Sequence, residues 1–198
     1  MRKQQRPSNI LNQLYQTLED RNNPEEIENK GPFKCRTLTS WLGEGYYFWD
    51  GLIELAHFWG KNSTYSEYVI CSAEANLNDL NCYNLISNVE HLKDFRNIVE
   101  LMEKEGLINE KTTVRRIITF MIERNLFQHY AIKAIGTNSI ADKEENKSFT
   151  LRFKFDFKLP AYLDIIPPIQ ICIFNCQKVG LTNYKIIHPD IYVESYLI

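Results

Sequence analysis

The sequence predicts an α+β fold, and three observations carry that expectation. Short apolar or alternating runs bounded by Gly, Pro and Asn read as strands. Between Val89 and Tyr130 the apolar residues recur instead at three- and four-residue spacing, the signature of amphipathic helices. At 198 residues, with 44% hydrophobic and 13% aromatic content, the chain suffices for one well-packed core, and a single domain over 1–198 is expected.

The elements follow in order. A polar, basic start gives way to a short strand over Leu14–Leu18. Asn22-Asn23-Pro24 then opens a helix over Glu25–Lys30, with Pro in the first turn and Gly31 as the stop. After the run Gly43-Glu44-Gly45 and its aromatics comes a helix from about Gly51 to Gly60, followed by an apolar strand over Tyr68–Ala75. Leu92, Phe95, Ile98, Val99 and Met102, and later Val114, Ile117, Ile118, Met121 and Ile122, define two helices divided near Glu105-Gly106, a helical segment at about 89–130. Ala131–Ile135 returns to strand, and Ala141–Lys147 is a charged loop. Phe149, Leu151, Phe153, Phe155 and Phe157 alternate with polar residues up to Leu159, which predicts a half-buried strand with a basic outer face. Pro167-Pro168 opens a strand over Ile169–Phe174, and Tyr184–Ile187 supplies the last.

Charge excludes little. The 23 basic and 25 acidic residues leave a net charge of -2, so no global field indicates nucleic acid or an anionic membrane as partner. No apolar run approaches the roughly 20 residues of a bilayer span. No apolar leader follows Met1–Arg6, and the five cysteines are an odd number, which together point to a cytoplasmic protein or one delivered to a target cell without a cleavable signal peptide. Cys172 and Cys176 read as core thiols and not as metal ligands, and His57, His91, His129 and His188 stand at no metal or triad spacing.

The most informative run is Trp41 to Asp50 with the helix behind it. Two glycines free the backbone and a string of aromatics follows, an arrangement suited to a flat heterocycle or, in the plainer alternative, to an ordinary strand, turn and core helix. Gly43-Glu44-Gly45-Tyr46-Tyr47-Phe48-Trp49-Asp50 fits the Gly-x-Gly-x-Tyr-Phe-x-Asp run of the ADP-ribosyltransferase superfamily, of the diphtheria-toxin and poly(ADP-ribose) polymerase type. Ala56 and Phe58 in the helix, the strand from Tyr68 and its tail to Leu85, and the earlier Tyr15-Gln16-Thr17, Pro24–Lys30 and Gly31 extend the likeness, so the chain resembles a divergent, bacterial-type member over about half of its length.

That resemblance implies a split antiparallel β-sheet core carrying the helical segment as an insertion. It implies NAD as substrate and a mono-ADP-ribosyltransferase, of the kind that serves as a bacterial toxin or effector, acting on a macromolecular acceptor. Tyr47 would stack on the nicotinamide ring and Phe58 would close the pocket, each aromatic contact contributing on the order of 1 kcal/mol. Gly45 would lie against the cofactor, Gln16 and Thr17 would hydrogen-bond it in place of the family's early His or Arg, and Arg36 would meet pyrophosphate. Gln170 falls where the family places its catalytic Glu, so Tyr47 and Gln170 are the candidate catalytic residues, and no metal is implied. Glutamine orients a ribose but lacks the charge that stabilises an oxocarbenium ion. A catalytically inactive NAD/ADP-ribose-binding or protein-interaction module with the same fold is therefore the alternative reading. Each of these residues also has a plain role open to it: core for Phe58, strand polar residues for Gln16, Thr17 and Gln170, and a solvated loop for Arg36 and Glu44.

Overall fold

The structure, a computed structural model, describes residues 11–37, 39–136 and 152–194. In chain order it contains β1 (Asn12–Glu19), α1 (Pro24–Lys30), β2 (Tyr46–Asp50), α2 (Ile53–Asn62), β3 (Tyr68–Ala75), β4 (Cys82–Asn84), α3 (Val89–Lys104), α4 (Val114–Glu123), β5 (Ala131–Ile135), β6 (Arg152–Lys154), β7 (Tyr162–Asp164), β8 (Ile169–Ile173), β9 (Thr182–His188) and α5 (Asp190–Glu194). This is a mixed α+β architecture. Seven strands form one continuous sheet in the order β4-β5-β8-β2-β1-β3-β9, where a split sheet was expected. Every neighbouring pair is antiparallel except β4 and β5.

Local chemistry sets the helix ends. Pro24 stands at the start of α1, with Glu25 and Glu26 in its first turn and Lys30 in its last, all favourable to the helix dipole. The Asn88 side chain accepts from the Glu90 and His91 amides to cap α3, and the Thr113 hydroxyl accepts from the Arg116 amide to cap α4. Gly106, at φ 70°, takes the left-handed conformation that divides the two helices.

The strand period of two sorts the core into two layers. On one face Tyr83, Ile132, Ala134 and Cys172 pack beneath α3 and α4, which contribute Ile98, Met102, Ile117, Ile118, Phe120 and Met121. On the other face Leu14, Phe48, Ala73, Ile171 and Ile173 are sealed by the 176–181 turn, while Ile27 of α1 packs with Val69, Cys71 and Ile186. Helix α2 lies on the same face as α3 and α4 but over β1, where the Thr17 hydroxyl donates to the Ala56 carbonyl at 2.9 Å. A strip of β2 and β8 is left between α2 and the α3–α4 pair. The tryptophan site described below occupies that strip.

The strand expected over Phe149–Leu159 is corrected. Only Arg152–Lys154 is extended within the described part of it, and it pairs with β7 alone as a separate hairpin. Phe153, Phe155 and Phe157 are 51%, 73% and 79% exposed, so among the described residues no second layer buries the alternation. The expected charged loop at 141–147, the basic start of the chain and residues 149–151 lie outside the described residues.

Candidate functional site

The glycine run is built as a clamped turn. Gly43 holds φ 103°, a left-handed conformation that a side chain disfavours. Gly45 exchanges backbone hydrogen bonds with Cys35, and a Cβ there would stand 2.4 Å from the Cys172 sulfur and 2.8 Å from the Ile173 carbonyl. Close approach of the backbone to β8 is therefore what Gly45 supplies. Arg115 of α4 fixes the preceding loop, donating to the Thr37 carbonyl at 2.8 Å and to the Ser40 hydroxyl at 3.1 Å.

Tyr47 closes the turn. Its hydroxyl accepts from the Leu42 amide at 2.9 Å and donates to the Gly43 carbonyl at 2.8 Å, while its ring packs against the α3–α4 cluster. Burial, with the Cys172 thiol beside it, pushes the phenol well above the ordinary tyrosine range, so it is a neutral donor and acceptor. Gln16 is 4% exposed and uses all four of its hydrogen-bonding positions. Its nitrogen donates to the Phe33 and Tyr47 carbonyls, and its oxygen accepts from the Phe33 amide and the Tyr184 hydroxyl. Gln16 and Tyr47 are thus joined, but through the backbone of β2.

The remaining candidates are dispersed. Thr17 is engaged beneath α2. Arg36 is exposed at the rim and faces Glu44 at 4.0 Å, with Lys34 also 3.6 Å from that carboxylate. Phe58 lies on α2, yet the α2 aromatic that meets β2 is its neighbour Trp59, whose ring centroid is 6.2 Å from that of Trp49.

Gln170 stands at the centre of the strip. It is 9% exposed, and in the sheet it lies directly opposite Trp49 on one side and Ala134 on the other. Its Oε1 accepts from the indole N–H of Trp41. All three tryptophans of the chain therefore converge here: Trp41 by hydrogen bond, Trp49 by strand register and Trp59 through Trp49. Trp41 and Trp59 are 38% and 49% exposed, so the site is an open aromatic face. Sequence reasoning singled out Gln170 but assigned no role to these tryptophans. Their confinement to residues 41–59, flanking the glycine run, was the available signal.

Two cavities lie elsewhere. One of about 330 Å³ sits against the glycine turn, between Gly43, Glu44, Lys34, Arg115 and Phe174. Another of about 270 Å³ opens between β3 and β9, at Ser72, Glu74, Asn183 and Lys185. Neither contains Gln170 or a tryptophan.

The thiols of Cys71, Cys82 and Cys172 are pushed up to about 12 by burial, which leaves them protonated core groups. Among the described residues no group of three or more His, Cys, Asp or Glu side chains is arranged to hold a metal ion. No helix among them is long and apolar enough to cross a membrane. Comparison with protein-family models, with curated proteins and with solved structures finds no match to this chain.

Proposed function

We propose that the chain is an ADP-ribosyltransferase-like protein that binds NAD or ADP-ribose by laying a flat ring on the tryptophan face beside Gln170, and that it binds without transferring. The observation supporting this reading is the amide of Gln170, buried in a central strand and flanked by Trp41 and Trp49. Indole planes hold a flat, electron-poor ring by dispersion and cation–π attraction. An amide at this position orients such a ligand, whereas a carboxylate would also stabilise the positive charge that develops when the ribose–nicotinamide bond breaks. Glutamine supplies the first action and not the second.

Intrinsic fluorescence tests the reading directly, because every tryptophan of the chain belongs to the site. Titration with NAD and with ADP-ribose is expected to give a saturable change, with no nicotinamide released in the presence of a cell lysate. A flat titration for both ligands removes the binding role. Nicotinamide release that disappears in Gln170→Ala makes the chain an active transferase with a macromolecular acceptor.

A further inference from the structure

We infer that Gln170 is a fixed hydrogen-bond donor, so that the ligand group it selects is an acceptor, a carbonyl oxygen or unprotonated ring nitrogen on a flat heteroaromatic ring, and not an amino donor. The inference rests on the ring-binding reading above and adds the polarity of the site to it.

The argument starts from the partner. An indole N–H donates and cannot accept, so the atom that meets Trp41 Nε1 is the amide oxygen. The amide plane is thereby oriented, and its NH₂ is turned away from Trp41. That nitrogen has no hydrogen-bond partner among the described residues, and it is not sealed from solvent. A glutamine this deeply placed normally satisfies both ends, as Gln16 does two strands away. Gln170 satisfies one and presents the other.

Both supports of the lock are rigid. Gln170 lies in β8 with ladder partners on either side, β2 and β5, so its Cα is held in register. The Trp41 ring lies over Gly136, where a Cβ would stand 3.8 Å from Trp41 Cη2, and the adjoining backbone is tied through Leu42 to the Tyr47 hydroxyl. Turning the amide over would set its NH₂ against the indole N–H, donor against donor, and leave both unpaired. A carboxylate in the same place would behave oppositely, keeping one oxygen on Trp41 and offering the second as an acceptor.

Two neutral flat rings of similar size, neither with a ring nitrogen, separate these cases: acetophenone, whose substituent only accepts, and aniline, whose amino group donates. Calorimetric titration of the full chain at mildly alkaline pH is expected to favour the acetyl compound by about tenfold or more, the scale set by leaving a buried polar group unpaired. Gln170→Glu is expected to reverse the preference, and Trp41→Phe, which frees the amide to turn over, to bring the two affinities to within about threefold. Equal binding of the two rings by the unaltered chain, or an undiminished preference in Trp41→Phe, overturns the assigned polarity while leaving ring binding intact. Binding of neither ring overturns the ring-binding reading, and the polarity with it.

Discussion

The imidazole of His57 on α2 meets that of His188 at the end of β9 edge-on, their ring centroids 4.8 Å apart, with Tyr68 stacked on His188 and its hydroxyl 3.0 Å from His57 Nδ1. His91 and His129 form a second edge-on pair, also at 4.8 Å, against Tyr83. All four histidines of the chain are thus paired.

These pairs predict acid sensitivity. Burial first, then the facing His188 and Lys61, holds His57 below the ordinary imidazole value of 6.5, against an upward pull from Glu54. Burial and His91 do the same to His129, with Asp79 and Asp94 pulling upward. A histidine whose folded pKa is depressed is protonated more readily in the unfolded chain, so its contribution is present above the unfolded value and is lost as pH falls below it. The midpoint of urea unfolding is expected to drop as pH is lowered from about 7.5 to about 5.5, and to drop less in His57→Gln and in His129→Gln. A midpoint that rises over this interval contradicts the pairing.

Gln16 is the fastening of the sheet centre. Gln16→Leu removes an amide that serves Phe33, Tyr47 and Tyr184 together, leaving their buried polar groups unmatched. The expected loss is about 3 kcal/mol or more in chemical denaturation. A loss well under 1 kcal/mol would show that water replaces the amide without cost.

Gly45 is required for space and Gly51 for conformation, and the two substitutions separate these demands. Gly45→Ala drives a methyl into the Cys172 sulfur and the Ile173 carbonyl, with an expected cost of about 1–3 kcal/mol. Trimming the sulfur in Gly45→Ala/Cys172→Ala is expected to restore only part, because the carbonyl belongs to the backbone of β8. Gly51→Ala meets no atom within 4 Å but must hold φ 71°, for about 1 kcal/mol. Full rescue of Gly45→Ala by the double variant would remove the backbone contact from the account.

Tyr47→Phe distinguishes a stacking ring from a turn-closing hydroxyl. Stacking survives the change, whereas the bonds to Leu42 and Gly43 do not. Stability is expected to fall by about 1–2 kcal/mol, with ligand affinity falling in parallel as Trp41 is loosened. Unchanged stability with lost binding would return Tyr47 to the ligand.

The strand Tyr68–Ala75 and the two helices within 89–130 were legible because burial writes itself into local periodicity. The same rule misled at Phe153, Phe155 and Phe157. Alternation announces two unlike faces and says nothing about whether a second layer arrives to cover one of them. The tryptophan face was less legible still, because Trp41 and Gln170 are 129 residues apart and meet only through the pairing of β2 with β8. Tyr47 was marked as the ring that stacks on nicotinamide because it directly follows the glycine turn. The task of its hydroxyl was hidden, because two bonds to Leu42 and Gly43 depend on the fold of a few residues and not on their spacing.

The parallel pairing of β4 with β5 changes what the helical segment is. Strands that run side by side in the same direction require the chain to travel back along the sheet between them, and here α3 and α4 make that return journey. The segment is therefore no detachable cassette. A tight turn in its place would deliver β5 to the sheet upside down, so transplanting these helices or trimming them away would dismantle the wall on which Gln170 is mounted.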